Sequence, residues 1–228
     1  MIIAIDGPSG AGKSTLGRLL ARELGLLYVD TGAMYRAAAL AVTESGVSTS
    51  DPEAVAETVA RAPINLGGDP DSLRVMLGGR DVSDEIRTEK ISHMSSVIST
   101  IPEVRRELVR RQREMGAHGG VVLDGRDIGT VVFPEADLKF FLTARPEERA
   151  RRRYEEERPR EQDQTFQDTL ADINARDRRD STRADSPLTI AADAVVIDTT
   201  ELSIEDVFRK MLEVARERRA GGGEGAHG

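Results

Sequence analysis

The stretch GPSGAGKST near the start of the chain combines flexible backbone with one positive charge. Gly7, Gly12, Lys13 and Ser14 fit the pattern G-x-x-x-x-G-K-[ST], whose backbone N–H groups surround an anion. In this pattern the lysine contacts the outer phosphates of a nucleoside triphosphate, and the following hydroxyl binds Mg²⁺. We therefore predict an ATP and Mg²⁺ site built from Gly7, Pro8, Ser9, Gly10, Ala11, Gly12, Lys13, Ser14 and Thr15.

Three later segments bring arginine and aspartate close together: DTGAMYR at 30–36, DGRDIG at 124–129 and RDRRDSTR at 176–183. Asp124 follows an apolar run, so we expect it at the carboxyl end of a buried strand, where open α/β sheets bind ligands. There it could hold Mg²⁺ through water. Arg176, Asp180 and Arg183 have the spacing of one helix face. A functional cluster and an ordinary salt-bridged surface both explain that spacing.

The composition excludes several classes of protein. The chain has 228 residues and a net charge of −8, which argues against nucleic acid or an anionic membrane as the main partner. It has no cysteine, so disulfides and thiolate chemistry are excluded. No apolar stretch approaches the roughly 20 residues of a membrane span, and no export signal follows Met1. We expect a cytoplasmic protein, and a monomer because nothing suggests an obligate interface.

Five nearly continuous apolar runs predict buried parallel strands: IIAID, LLYVD, VVLDG, KFFLTA and AVVIDTT. Helical patterns separate them. One pattern covers residues 13–24, and another covers 203–219 and begins with the capping spacing of Ser203 and Asp206. Strands that alternate with helices predict a doubly wound α/β core.

Three segments depart from this alternation. Residues 63–90 combine Gly-Gly pairs with alternating apolar residues, which predicts a small antiparallel insert. The polar segment at 154–166 contains Pro159 and predicts a mobile surface loop. The last nine residues, AGGGEGAHG, predict a disordered tail.

GPSGAGKST, DTGAMYR, DGRDIGTVVFP and RDRRDSTR…PL occur here in the order and spacing of the bacterial cytidylate kinases. The chain resembles that family over nearly its whole length, excluding the tail. The resemblance implies the reaction ATP + CMP → ADP + CDP, with dCMP as a second acceptor and Mg²⁺ as cofactor. Two departures are mild: Ser14 replaces a frequent glycine, and Thr31 replaces an expected serine.

The resemblance also implies a P-loop kinase fold. That fold has a five-stranded parallel sheet flanked by helices, a small antiparallel β insert and a short lid. The implied divisions are a core at 1–36, 101–145 and 166–219, a monophosphate-binding domain at 37–100, a lid at 146–165 and a tail at 220–228.

Residue roles follow from the same resemblance. It implies that Arg36, Arg126 and Arg183 bind the acceptor phosphate of CMP. The base would be bound by Ser96, Arg105 and Asp127. The ribose would be bound by Arg176 and Asp180, with Thr31 also at this site. Lys13, Arg126 and Arg183 would neutralise the transferring phosphate. No general base is needed, because the acceptor phosphate is already ionised near neutral pH.

The chemistry of the base independently favours a carboxylate and a guanidinium as its ligands. Cytosine has an amine that donates to a carboxylate, and its N3 and O2 accept from an arginine. Asp127 and Arg105 form such a pair. Uracil has a carbonyl in place of the amine, so it would meet the Asp127 carboxylate with a lone pair. Unpaired buried groups of this kind separate substrates by powers of ten.

Arg149 and Arg153 are spaced i, i+4 on the predicted helix of the lid. Our hypothesis is that closure brings both arginines over the transferring phosphate and excludes water. A solvated helix surface is the competing interpretation, since Glu147, Glu148, Glu155 and Glu156 could pair with them.

Two other functions remain open from the residues alone. A small P-loop kinase for another monophosphate or a metabolite would share the opening motif. A regulatory module that binds ATP without fast transfer would share it too, although the arginines argue against it. A GTP switch is excluded because the chain has no N-K-x-D sequence.

Overall fold

The computed structural model describes residues 1–157 and 165–221. Of the polar loop predicted at 154–166, residues 158–164 lie outside the described residues. The same is true of residues 222–228 of the predicted tail. Residues 154–157 form the last turn of a helix and Phe166 begins the next one, so the loop prediction was wrong at both ends.

Strands and helices alternate along most of the chain. The strands are β1 (Ile2–Asp6), β2 (Leu27–Asp30), β3 (Ile64–Gly67), β4 (Arg74–Leu77), β5 (Arg80–Asp81), β6 (Val121–Gly125), β7 (Leu138–Thr143) and β8 (Val195–Asp198). The helices are α1 (Lys13–Leu24), α2 (Thr31–Ser45), α3 (Pro52–Arg61), α4 (Glu89–Ile98), α5 (Pro102–Gly116), α6 (Pro146–Glu157), α7 (Phe166–Thr182) and α8 (Ile204–Gly221). A 3₁₀ turn covers Glu85–Arg87, and a single π-helical turn covers Ile128–Val132.

The predicted central sheet is confirmed. Within the described residues it has five parallel strands in the order β2-β6-β1-β7-β8. Helices cover both faces, which is why the inner strands are apolar without alternation. Ile3, Ile5 and Phe140 from the middle strands are almost completely buried. Because parallel strands end at one edge, this sheet gathers its carboxyl-terminal residues in one place.

The predicted antiparallel insert is also confirmed. Strands β3, β4 and β5 form a separate three-stranded sheet among the described residues. Its apolar side chains, such as Val75 and Leu77, pack on α2 and its neighbours in a second hydrophobic core. Small residues of α2, among them Ala37 and Ala38, form one side of this core, and larger residues of α3, α4 and α5 complete it.

The last helix runs further than the sequence suggested. Ser203 caps α8 as expected, since its hydroxyl accepts from the Asp206 N–H at 3.1 Å. The helix continues through Ala220 and Gly221, the first two residues of the predicted tail. This part of the tail prediction was wrong. Alanine is the strongest helix former, and no proline stops the helix at this point.

Three adjacent strands, β2, β6 and β1, each have an aspartate at or next to the carboxyl end. Asp30 in β2 lies directly beside Asp124 in β6, and Asp6 in β1 lies beside Gly125. Placing Asp124 at a strand end was therefore correct. The sheet brings these carboxylates together next to the glycine-rich loop that follows β1.

Gly7, which follows β1 directly, is fixed by both conformation and space. Its φ of +142° is strained for any side chain, and a Cβ there would lie 2.0 Å from the Leu142 carbonyl oxygen of β7. Gly25 at the end of α1 shares the positive φ, at +67°, but has no atom within 4 Å of such a Cβ. A comparison of variants at the two glycines therefore separates the cost of positive φ, which both share, from the cost of the clash, which only Gly7 has.

We expect Gly7→Ala to lower the free energy of unfolding by about 3 kcal/mol or more, because backbone must move as well as twist. The matched variant Gly25→Ala should lose only about 1–2 kcal/mol, the cost of left-handed backbone. Urea unfolding followed by circular dichroism measures both. Equal losses would show that the Leu142 carbonyl does not constrain the loop.

Candidate active site

The glycine-rich loop forms the floor of a cavity of about 890 Å³, which we call the central cavity. The loop leads directly into α1, so the amino-terminal end of that helix faces the cavity. The Lys13 ammonium is buried and donates to the Pro8 carbonyl oxygen at 2.7 Å. Burial lowers the pKa of Lys13 well below its usual value, and the nearby charge of Arg126 lowers it further. An anion bound at the loop would relieve that penalty.

Asp124 lies beside this loop and is hydrogen-bonded to it. Its carboxylate accepts from the Ser14 hydroxyl at 2.8 Å and from the Tyr28 hydroxyl at 2.9 Å. Burial raises the pKa of Asp124 to about 6, and the neighbouring carboxylate of Asp30 adds to the rise. The Thr31 hydroxyl donates to the Asp124 carbonyl oxygen at 2.7 Å. The charged form of Asp124 is therefore disfavoured here, and a bound cation would favour it.

A serine hydroxyl 2.8 Å from a buried carboxylate oxygen fits Mg²⁺ at the loop. This cation keeps several waters and takes few protein ligands besides phosphate oxygens. In the described residues, no group of three or more His, Asp or Glu side chains could hold a metal by itself. The two groups predicted for Mg²⁺, Ser14 and Asp124, are thus neighbours.

A second group of charges centres on Asp180 in α7. Its carboxylate accepts from Arg126 Nε at 2.9 Å, and Arg176 Nε and Arg183 Nη1 lie 3.9 and 4.0 Å from its oxygens. Burial alone would raise the pKa of Asp180, but the three arginines hold it below its usual range. The Arg176 side chain is 15% exposed, and its desolvation together with the charge of Arg126 lowers its pKa to about 9. Positive charge is in excess here.

The helix-face prediction was correct for Arg176 and Asp180 and wrong for Arg183. α7 ends at Thr182, and Arg183 follows it in an extended conformation with ψ of 142°. Its side chain nevertheless returns to Asp180, with Nη1 4.0 Å from a carboxylate oxygen, while Nε donates to the Ser186 carbonyl oxygen at 2.6 Å. This group is buried, unlike a solvated helix surface.

Asp127 and Arg105 form a buried ion pair. Arg183 Nη2 lies 3.8 Å from the other Asp127 oxygen. The Arg105 guanidinium also lies 5.7 Å from the centre of the Tyr35 ring, in cation–π geometry. Ser96 lies close by in α4 and accepts from Arg179 Nε at 3.0 Å. The three residues that the resemblance assigns to the base are therefore all buried.

Four of these arginines keep a buried nitrogen without a hydrogen-bond partner. The atoms are Arg36 Nε, Arg105 Nε, Arg176 Nε and Arg183 Nη2. Arg36 pairs with Asp30 through its other end, at 3.2 Å. Buried donors without acceptors are costly, and several in one region indicate a site for an acceptor-rich ligand.

The two predicted lid arginines have different surroundings. Arg149 is buried and makes a bidentate pair with Asp177 of α7, at 3.1 and 2.6 Å. It also donates to the Ser9 carbonyl oxygen at 3.2 Å. Arg153 lines the central cavity one turn further along α6.

The glutamates that could have paired with Arg149 do not hold it. Glu148 pairs with Arg151 and Arg152, and Glu155 pairs with Arg151. Arg149 therefore ties α6 to α7 and to the glycine-rich loop, away from the cavity lining.

The central cavity joins the two groups of charges. Lys13 and Ser14 line one part, and Arg36, Arg126 and Arg176 line another. Ser96, Arg105, Asp127 and Arg183 are not part of the lining and lie buried beside it. One cavity thus has an anion cradle at one end and guanidinium groups at the other, with Arg153 from α6 at its border.

Comparison with known proteins agrees with this arrangement. The sequence model of the family described as cytidylate kinase matches residues 3–217. The chain is 49% identical over 225 residues to the cytidylate kinase of Geobacter sp. (strain M21), covering 99% of this chain and 97% of that protein. It is 50% identical over 219 residues to that of Caldanaerobacter subterraneus subsp. tengcongensis, covering 96% of each. The chain belongs to the cytidylate kinase family. It is therefore an ATP-dependent kinase that acts on a nucleoside monophosphate.

Among solved structures, a gluconokinase from Sinorhizobium meliloti 1021 has a TM-score of 0.51 with 13% identity, covering 98% of this chain and 97% of that one. At that identity the likeness concerns the fold alone. No helix among the described residues has the length and apolar character to cross a membrane.

Several residues of the site were missed by sequence reasoning. Asp6 and Asp30 end strands, as Asp124 does, so the same rule could have selected them. Asp177 and Ser92 had no such signal. Ser92 accepts from Arg176 Nη1 at 3.3 Å, which depends on how α4 packs against α7.

We expect the variant Asp124→Asn to be inactive yet more stable than the wild type at pH 7.5. The pKa of Asp124 rises from 3.8 to about 6 on folding, so the stability linked to its protonated form is lost as pH rises through about 6. Removing the charge should return about 3 kcal/mol at pH 7.5 and about half of that at pH 5. Thermal unfolding without nucleotide, at both pH values, measures this.

The exposed Asp84 supplies the matched control, because Asp84→Asn removes the same charge at a residue that does not line the cavity. It should change the unfolding temperature little at either pH. A variant at Asp124 that is less stable than the wild type at pH 7.5 would contradict the assigned cost of its charge.

Proposed function

We propose that the chain transfers the γ-phosphoryl group of ATP to CMP or dCMP, with ATP on the glycine-rich loop and the acceptor among the buried arginines. Phosphorylation of CMP and dCMP is the activity of the family to which it belongs. The observation that carries the assignment of the acceptor end is the excess of buried guanidinium charge. Four buried nitrogens without a hydrogen-bond partner and an Arg176 pKa of about 9 both describe groups that an anion would stabilise.

On the donor side, the backbone N–H groups of the loop and the Lys13 ammonium would bind the outer phosphates. Ser14 would ligate Mg²⁺ directly, and Asp124 would hold it through water. The bound ion supplies charge neutralisation between the phosphates. The support for these roles is the 2.8 Å contact between Ser14 and Asp124 and the raised pKa of the carboxyl.

On the acceptor side, Arg36, Arg126 and Arg183 would bind the phosphate of CMP. Arg36 and Arg126 line the central cavity, and Arg183 reaches the same region through Asp180. Guanidinium forks suit this task because they bind phosphate oxygens in pairs. The acceptor oxygen is already ionised, so transfer depends on alignment and charge neutralisation without a general base.

The base and the ribose would be bound next to this phosphate. Asp127 would accept from the cytosine amine, Arg105 would donate to the ring acceptors, and Ser96 would add one hydroxyl. The burial of all three supports this role, because desolvated polar groups discriminate most strongly between related substrates. Arg176 and Asp180 would contact the ribose. Monomeric state and cytoplasmic location remain predictions from the sequence.

The proposal is tested by ADP release with ATP, Mg²⁺ and one acceptor at a time: CMP, dCMP, UMP, AMP or shikimate. We expect CMP and dCMP to be preferred. In the variant Asp127→Asn, kcat/KM for CMP should fall about 100-fold, because a charged acceptor of the cytosine amine is replaced by a partly donating amide. UMP should lose much less, because Asn can donate to its carbonyl.

The KM for ATP serves as the internal control for this variant and should not change. Selectivity between CMP and UMP that is the same in Asp127→Asn as in the wild type would refute the role of Asp127. A kinase that prefers shikimate would refute the acceptor assignment as a whole.

We also expect the two lid arginines to give different phenotypes. Arg153→Ala should lower kcat about tenfold, because the side chain lines the cavity. Arg149→Ala should lower the free energy of unfolding by about 3 kcal/mol, because it leaves Asp177 without its partner. Turnover assays and urea unfolding measure the two effects. Turnover and ATP affinity untouched in both variants would refute the lid hypothesis.

A further inference from the structure

The π-helical turn Ile128–Val132 begins directly after Asp127. Like any helical turn, it starts with N–H groups that have no partner inside the turn. An aspartate in the position of Asp127 normally accepts from such groups with its own side chain. Here Asp127 makes no capping bond, and its carboxylate faces Arg105 and Arg183 instead.

Asp6 at the end of β1 supplies the acceptors for the first N–H groups of this turn. Its two carboxylate oxygens accept separately, Oδ1 from the Ile128 N–H at 2.8 Å and Oδ2 from the Gly129 N–H at 2.7 Å. Only 4% of Asp6 is exposed, so these bonds are made away from water. A residue 122 positions earlier in the chain therefore caps the turn that carries Asp127.

Asp6 is a costly residue in this position. Burial raises its pKa to about 6, the two backbone N–H groups oppose that rise, and the charge of Asp127 adds to it. A neutral capping residue would avoid the repulsion between the two carboxylates. One carboxylate cannot both cap the turn and face Arg105. Asp6 therefore caps the turn, and Asp127 faces Arg105.

We propose that Asp6 is a positioning residue for base recognition: it caps the turn in place of Asp127 and so keeps the Asp127 carboxylate turned toward the acceptor base. The inference rests on the proposed role of Asp127 in reading cytosine. It assigns to Asp6 an effect on selectivity, which a merely structural carboxylate would not have.

The test is the variant Asp6→Asn. One oxygen still accepts from one N–H, but the new amide group faces the other N–H and cannot accept from it. The Asp127 carboxylate is then free to turn back and cap the vacated N–H, as aspartate side chains do. We expect the ratio of kcat/KM for CMP to kcat/KM for UMP to fall about tenfold or more.

This ratio is independent of how much of the sample is folded, because the concentration of active enzyme cancels. If Asp6→Asn gives no folded protein, the same ratio is measured in Asp6→Ser, since a hydroxyl can accept from only one of the two N–H groups. The expected fall in the ratio is the same.

The double variant Asp6→Asn with Asp127→Asn tests the route of the effect. If Asp6 acts through Asp127, the double variant should show the ratio of Asp127→Asn alone. Asp193→Asn is the matched control. Asp193 is exposed and pairs with Lys139, whose side chain packs against Gly129, so the variant removes a charge near the same turn. It should leave the ratio unchanged.

The outcomes separate this inference from the proposed function. A wild-type ratio in Asp6→Asn together with a lowered ratio in Asp127→Asn overturns the positioning role and leaves the role of Asp127 standing. A wild-type ratio in both variants overturns both. A double variant whose ratio falls by the product of the two single effects also overturns the inference, because Asp6 would then act independently of Asp127.

Discussion

Like charges held close together in a partly buried space are the constraint on which this structure depends. Burial and the charge of Arg126 lower the pKa of both Lys13 and Arg176, and burial and the charge of Asp30 raise the pKa of Asp124. Each pair of like charges is unfavourable while the protein is free. Two phosphate-bearing ligands would neutralise the positive groups, and a cation would neutralise the carboxylates. Relief of this repulsion would then contribute to the binding energy of the substrates.

The sheet makes this arrangement possible. Its parallel strands end at one edge, where Asp6, Asp30 and Asp124 lie side by side. The rest of the site is brought to that edge by α7, which carries Asp180 between the arginines. The buried charges at the carboxyl edge therefore lower the free energy of unfolding. The apolar middle of the sheet and the separate core around α2 raise it.

The parts that sequence alone could predict were those with local signals. Near-continuous apolar runs located the strands, and the glycine-lysine pattern located the anion cradle. The separation of Arg149 from Arg153 could not be predicted, because both lie on one helix face and only packing against Asp177 distinguishes them. Arg183 was placed on a helix that ends one residue earlier. Long-range contacts such as Asp6 with Ile128 leave no periodic signal.

The anchoring of Arg149 has a consequence for motion. Its guanidinium joins α6 to the Ser9 carbonyl and to Asp177, so the first turn of this helix is fixed to the floor of the cavity. Arg153 stands only one turn beyond, about 6 Å along the axis. A rotation of α6 away from the cavity must therefore be centred near Arg149. Because Arg153 is so close to that centre, such a rotation moves it only a short distance.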